Sequence, residues 1–472
     1  MSVEHRNGGS STVVMEEPIE LQPAMLKQDR PIISPKQITT NGGRSLDDGE
    51  NTQDRNESLP SPTTASAEQP ETWNNPRINL YRFPAVLWAF AVMGMNDAAY
   101  GAVIPYLEEY YQLSYTIISL IFLSPFVGYT LAAVINNAVH MKFGQRGVAF
   151  VGPVCHLIAY IIIAVHPPYP VLIIAYMLAG LGNGIEDSGW NAWVGAMSSA
   201  NELLGILHGV YGAGAVVAPL IATSMIASAG LPWYYWYYVM IGAAALELAT
   251  SFAAFYKADA TAFRLANPRT SDAAGSRLRE AIARLPAART TWLAALFLLG
   301  YVGAEVALGG WIVVFMMDVR KGAPFASGMV ATGFWLGITV GRVILGFVTP
   351  RIGERLSIII YLPISAGLQL LFWLVPQFYV SAVAVSLQGF FLGPLFPAAV
   401  VVMTRLLPKH LHVSAIGFAA AFGGSGGAIF PFAVGALAQA KGVQVLQPII
   451  LALLVFILLL WLGLPRANKK RE

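Results

Sequence analysis

From about residue 84 to residue 464 the chain repeats one pattern: some twenty apolar positions, then a polar break marked by Gly, Pro or charge. Wound as helices, runs of that length match the hydrocarbon thickness of a bilayer. The pattern predicts twelve spans, near 84–106, 117–140, 148–166, 170–195, 203–229, 233–256, 292–317, 325–349, 356–375, 378–404, 411–439 and 445–464. The breaks are short except for 257–291, between spans six and seven.

Composition agrees with an integral membrane protein. Of 472 residues, 56% are hydrophobic and 12% charged, against about 25% charged in soluble proteins. Forty-five glycines suit close helix packing in lipid. The single cysteine, Cys155, lies within a span, which excludes a disulfide framework and a thiol metal site. The first 76 residues break the pattern, as in SLDDGENTQDRNESLPSPTTASAEQPE. They have too little apolar surface to bury, so 1–76 is expected to be a disordered tail. They also lack the apolar centre of a cleavable signal peptide, so the first span is expected to act as an uncleaved signal.

The basic residues give an orientation. Lys257, Arg264, Arg269, Arg277, Arg279, Arg284 and Arg289 lie in the central break, Lys142 and Arg146 between spans two and three, Arg351 and Arg355 between spans eight and nine, and Arg466, Lys469, Lys470 and Arg471 in the tail. If the spans alternate, all fall on one side. On the other side, Glu108 and Glu109 sit between spans one and two. Lysine and arginine favour the cytoplasm, so both termini and the central break are expected there. The aromatics of Leu231–Tyr238 would then lie in the outer interface.

The two halves echo each other. Asp97-Ala-Ala-Tyr-Gly101 resembles Glu305-Val-Ala-Leu-Gly309, displaced by 208 (305 − 97). Gly182 and Gly389 are displaced by 207 (389 − 182), and Gly214…Pro219 and Gly426…Pro431 by 212 (426 − 214). Similar displacements at equivalent spans argue for a duplicated six-helix unit.

Twelve spans in two halves with a central cytoplasmic loop resemble the major facilitator superfamily. Its signature loop has the form G-x-x-x-D-R/K-x-G-R/K. The second half reads Gly346-Phe-Val-Thr-Pro-Arg351-Ile-Gly353-Glu-Arg355, and the first reads Asn137-Ala-Val-His-Met-Lys142-Phe-Gly144-Gln-Arg146. The spacing survives, but Met141 and Pro350 replace the aspartate. The resemblance covers roughly 78–465 and implies an all-α membrane protein, with twelve transmembrane helices in two pseudo-symmetric six-helix bundles. The expected division is a tail 1–76, bundles 77–256 and 292–464, a basic linker 257–291 and a basic tail 465–472. Within the superfamily, GLGNGIEDSGWNAW (180–193) and YVGAEVALGGW (301–311) are similar to the fucose–galactose–proton symporters and to fungal proteins of the bypass-of-stop-codon type.

Carboxylates inside spans need a reason. A charge at mid-bilayer costs about 2.5–3.5 kcal/mol, so Asp97, Glu186, Asp187 and Glu305 facing lipid would cost on the order of 10 kcal/mol, comparable to a domain's whole stability. They must face a cavity, pair, or hold protons; the alternative to a proton or substrate site is a set of polar pins in helix packing. The symporters carry an acid in span one and another in span four, which implies roles for Asp97 and for Glu186 or Asp187. Counting back from Asn191 picks Asp187; counting forward from the glycines picks Glu186. They project about 100° apart on a helix, so one can face a cavity and the other a neighbouring helix.

The family's cavities are lined by spans one, four, seven and ten. That puts Glu305 in the cavity and makes Asn96, Tyr100, Asn183, Trp190, Asn191, Trp193, Trp311 and Gln388 candidate lining residues. His156 and His208 are either proton relays or packing residues. Arg342 is expected in a structural ion pair, and Glu247 as a packing or partner acid.

Span five reads Gly205-x8-Gly214-x3-Ala218-Pro219-x2-Ala222. It is similar to the family's antiporter signature, with alanine at two glycine positions. The expected function is therefore secondary transport of a small organic solute by alternating access, proton-coupled, with import of a sugar-like solute and export of a metabolite both open. A non-transporting receptor on a carrier scaffold is a second class. The chain has no phosphate-binding Gly-x-x-x-x-Gly-Lys-Ser/Thr loop, and no enzyme activity, cofactor, metal or nucleic-acid partner is expected. The expected partners are the solute, protons and lipid; the chain is expected to be a monomer in the plasma membrane, or in a vacuolar or vesicular one.

Overall fold

The computed structural model describes residues 71–266, 278–408 and 411–465. The expected tails, apart from 71–76 and Pro465, lie outside it, as do Arg269 and Arg277 of the expected linker. Among the described residues twelve helices are long and apolar enough to cross a membrane. They are α1 (Asn79–Tyr111), α2 (Tyr115–Phe143), α3 (Gln145–Ala164), α4 (Tyr169–Gly195), α5 (Glu202–Ser228) and α6 (Tyr235–Phe255), then α7 (Ala287–Asp318), α8 (Pro324–Ile352), α9 (Glu354–Leu374), α10 (Phe378–Leu406), α11 (Ser414–Lys441) and α12 (Val443–Gly463).

α1 starts five residues before the apolar run (84 − 79), and so does α7 (292 − 287). In both, a basic side chain reaches the carbonyl end of a neighbouring helix: Arg82 Nε donates to Ala254 O at 3.3 Å, and Arg289 Nη2 to Gly463 O at 3.4 Å. Glu71, expected in the tail, is also tied down. It accepts from Asn79 Nδ2 at 3.0 Å, and its carbonyl accepts from Ser198 N at 2.9 Å.

The two halves repeat the same packing. α1 packs on α5 and α6, α3 on α4 and α6, and α2 on α4; α7 packs on α11 and α12, α9 on α10 and α12, and α8 on α10. The closest crossings repeat residue by residue. A Cβ on Gly128 would fall 2.1 Å from Met177 O, and one on Gly337 2.1 Å from Ser386 O, each displaced by 209 (337 − 128, 386 − 177). Gly180 meets Pro125 O and Gly389 meets Phe334 O, again displaced by 209. This corrects one sequence match: the counterpart of Gly389 is Gly180, and Gly182 instead faces His156. Only glycine permits such approaches, which is how helices associate where lipid supplies no hydrophobic drive.

The signature loops are left-handed turns. Gly144 has φ +72° and Gly353 φ +96°, where a side chain would be strained. After each turn an arginine grips the last helix of its half. Arg146 Nη1 donates to Tyr256 O at 3.4 Å, and Arg355 Nη1 donates to Leu464 O and Pro465 O, both at 3.0 Å. Lys142 lies over the Phe143 ring, Arg351 is exposed, and Gly346 has nothing close enough to exclude a side chain.

Across the halves, α1 packs on α7, α2 on α11 and α5 on α8. Many of these contacts lie away from the basic loops. Ser119 abuts Gly435, Thr223 abuts Gly328, and Phe122 abuts Gly310. There Tyr115 OH donates to Asp318 Oδ2 at 2.7 Å, and Tyr115 N to Gln439 Oε1 at 2.9 Å.

Candidate solute and proton site

Asp97 is the centre of the first half. Its Oδ1 accepts from Asn96 Nδ2 and from Asn183 Nδ2, both at 3.0 Å, and its Oδ2 accepts from Tyr211 OH at 2.9 Å. Three helices, α1, α4 and α5, thus aim donors at one carboxylate. Such charge-assisted bonds are stronger than neutral ones. Asn96 also donates to Tyr100 OH at 2.9 Å and accepts from Tyr160 OH at 3.2 Å.

Glu186 and Asp187 part company, as their helical angle requires. Asp187 is half-buried and accepts from Asn191 Nδ2 at 2.7 Å; Asn191 Oδ1 is in turn 3.1 Å from His208 Nε2. His208 is exposed and meets Phe90 edge-on. Glu186 is fully buried on the other side of α4. There one ligand atom each from His156 (α3), Glu186 (α4) and Glu247 (α6) lie within 4.8 Å of one another. His156 Nδ1 and Glu247 Oε2 share a hydrogen bond at 3.1 Å. Among the described residues this is the group of His, Cys and carboxylate side chains able to hold a cation. Its members come from three different helices, so sequence spacing gave no sign of it.

In the second half Glu305 Oε1 accepts from Arg342 Nη2 at 2.9 Å, with Tyr301 OH 3.5 Å from the same nitrogen. Arg342 was expected in an ion pair, and this is it. Arg342 lies on α8, which packs against α5, the helix of Tyr211 and His208. The two polar centres therefore sit on helices that cross each other between the halves, where Gly212 abuts Thr339.

The candidate lining residues divide. Asn96, Asn183 and Tyr100 join the Asp97 network directly, and Asn191 joins the row from Asp187. Trp190 and Trp193 instead pack on Phe255 of α6, with centroids 4.5 and 5.1 Å apart. Trp311 is buried with Nε1 donating to Pro431 O at 2.8 Å. Gln388 is buried with both amide atoms unpartnered. Tyr211, Tyr160 and Tyr301 were missed. Two of them carry a legible signal: His156 and Tyr160, and Tyr301 and Glu305, stand four apart on one helix face, as do Asn96 and Tyr100.

Comparison with known proteins gives the family. A model described as the Major Facilitator Superfamily matches residues 86–327 and 306–472. The chain is 31% identical to Bypass of stop codon protein 6 of Saccharomyces cerevisiae, over 91% of this chain and 93% of that protein. It is 24% identical to the glucose/mannose transporter GlcP of Bacillus subtilis, over 73% of this chain and 85% of that one. Two solved structures share the fold. One is a D-xylose–proton symporter, at TM-score 0.67 and 12% identity, covering 83% of this chain and 98% of that one. The other is FucP, the E. coli fucose–proton symporter, in its outward conformation, at TM-score 0.57 and 16% identity, covering 81% and 98%. The chain belongs to the Major Facilitator Superfamily and is a multi-pass membrane transporter of that family.

Proposed function

We propose that this transporter carries a sugar-like or other small polar solute together with protons, with Asp97 and Asp187 on the solute path. The observation that carries the reading is the Asp97 carboxylate. It takes donors from three helices, one of which, α5, carries His208 of the polar row Asp187–Asn191–His208 and packs across the halves on α8, the helix of Arg342. Neutral donors on a carboxylate can exchange for solute hydroxyls at little cost, because one hydrogen bond replaces another. The printed names of the relatives, a glucose/mannose transporter and fucose– and xylose–proton symporters, favour sugars.

The halves rock about their shared contacts, as in alternating access. With the basic loops in the cytoplasm, the close contacts at Ser119, Phe122 and Thr223 lie on the outer side and the solute path opens inward. The termini are then cytoplasmic, in the plasma membrane or an internal one. The chain works as a monomer, with the solute, protons and lipid as its partners and no cofactor.

The test is purified protein in liposomes with a pH-sensitive dye inside. D-glucose, D-mannose, fucose and D-xylose are added outside, to wild type and to Asp97→Asn and Asp187→Asn. Internal acidification with uptake in wild type, lost in both variants, is the expected result. Solute entering while protons leave would make the carrier an antiporter, the direction that the span-five signature favours. Flux without a proton signal would make it a uniporter and the carboxylates structural. Solute bound but not moved would make it a receptor.

A further inference from the structure

Inside the first half, away from the solute path, is a cluster that the proposed transport reaction does not use. Glu186, Glu247 and His156 are all fully buried. Glu186 Oε1 and Oε2, Glu247 Oε1, His156 Nε2 and Asn183 Oδ1 have no hydrogen-bond partner. A buried polar atom left without a partner is costly, so five in one place require an explanation. Four of the five are oxygens that accept. One unpartnered buried N–H stands by them, that of Trp190 Nε1, four residues after Glu186; one proton for four acceptors leaves the region short of hydrogens, and it is negative unless cations are supplied.

The space is tight. A Cβ on Gly152 of α3 would fall 2.4 Å from Glu186 Cγ, and one on Gly182 of α4 2.7 Å from His156 Nε2. Two glycines have been hollowed out to admit these two side chains, which favours an occupant with almost no volume. We propose that the His156–Glu186–Glu247 cluster is a proton-binding site, set behind the solute site and coupled to it through Asn183 and through Tyr160–Asn96. The step is one proton gained, forming an O–H bond on one carboxyl directed at the other, and later lost by breaking that bond; no other bond changes.

Two short routes lead from the cluster toward the solute path. Asn183, one residue from Gly182, donates to Asp97 Oδ1 at 3.0 Å. The Tyr160 ring stacks on His156 at 5.8 Å, its hydroxyl donates to Asn96 Oδ1 at 3.2 Å, and Asn96 donates to Asp97. The titratable groups packed around the cluster are Asp97 from α1, Cys155 and Tyr160 from α3, and Tyr237 from α6, whose ring lies 6.2 Å from that of Tyr160. A charge gained or lost at Glu186 or Glu247 is felt at Asp97 through this low-dielectric network. The inference rests on the proton-coupled reading, but it locates the proton on groups that never touch solute.

The test needs a readout that works without solute. Infrared difference spectra of the reconstituted full chain, between acid and alkaline buffers, report the carbonyl stretch of a protonated carboxyl. The expected result is a band in wild type that Glu186→Gln and Glu247→Gln each alter and the double variant removes. In liposomes with D-glucose, the double variant is expected to keep solute exchange within about threefold of wild type while losing solute-driven acidification. An unchanged band in the double variant overturns the proposal, as does acidification at the wild-type level. Exchange and acidification falling in parallel would make the cluster a packing pin and overturn it too. Glucose uptake that requires sodium at fixed pH would give the site to a metal cation instead. A wild type that moves glucose with no acidification would remove the proton-coupled reading, while the infrared band would still decide whether the cluster holds a proton.

Discussion

Gly101 of α1 and Gly309 of α7 meet backbone to backbone: a Cβ on Gly101 would fall 1.9 Å from the Gly309 carbonyl oxygen. These two glycines end the matching motifs Asp97–Gly101 and Glu305–Gly309. The repeat therefore touches itself at its own equivalent positions, as a pseudo-two-fold axis requires. Gly101→Val is expected to wedge this contact open and shift the molecule toward the alternative opening. The check is maleimide labelling of Ser119→Cys, buried against Gly435 in this conformation. Labelling should rise about tenfold, for a wedge costing about 1.4 kcal/mol. Unchanged labelling would mean that the end stays shut.

The bond from Tyr115 to Asp318 spans the same closure from α2 to α7. Tyr115→Phe removes the donor and keeps the ring on Trp311, whose centroid is 5.7 Å away. The loss is expected to be about 0.5–1.5 kcal/mol, giving a several-fold gain in labelling at Ser119→Cys. Tyr115→Phe and Asp318→Ala should not add when combined, since each removes one side of one bond.

The Glu305–Arg342 pair should show the asymmetry of semi-buried ion pairs. Glu305→Gln alone leaves a guanidinium largely out of water and is expected to cost up to about 3 kcal/mol. Replacing both, as Glu305→Gln with Arg342→Met, should cost less than Arg342→Met alone. Thermal unfolding in detergent measures both, and strictly additive losses would show that the two side chains are not energetically linked.

The glycine crossings predict equal penalties in the two halves. Gly180→Ala and Gly389→Ala each push a methyl group into a facing backbone oxygen, at 2.3 and 2.4 Å, and each should cost about 1–3 kcal/mol. Gly346→Ala, inside α8 with nothing within 4 Å, is the control and should leave the melting temperature unchanged or slightly raised, since alanine favours a helix interior over glycine. A large loss at 346, or none at 180, would contradict the packing.

Much of the fold was legible because lipid imposes a simple rule: long apolar runs must be helices with their backbone bonds closed internally. The ends were less legible. The predicted spans start near 84 and 292, after Arg82 and Arg289, yet each arginine sits inside a helix and donates to a carbonyl on a neighbouring helix. The site was legible as a list of carboxylates but not as a geometry. Which of Glu186 and Asp187 is buried against α3 depended on which neighbour made room, and Gly152 on α3 made room for Glu186. Nothing local to residues 180–193 carries that information. Trp190, beside the acids in sequence, turns toward Phe255, because a large ring gains most from burial in the bundle interior.

The clasps by Arg146 on Tyr256 and by Arg355 on Leu464 and Pro465 have a consequence for how such a molecule arises and is repaired. Each half fastens the turn after its second helix to the end of its sixth. Neither fastening borrows a residue from the other half. Two polypeptides made separately, one ending before residue 278 and one beginning there, should find each other in the bilayer and restore activity. A gene fragment encoding one half carries its own closure when it is copied, so duplication followed by fusion yields a working pair without inventing a new joint.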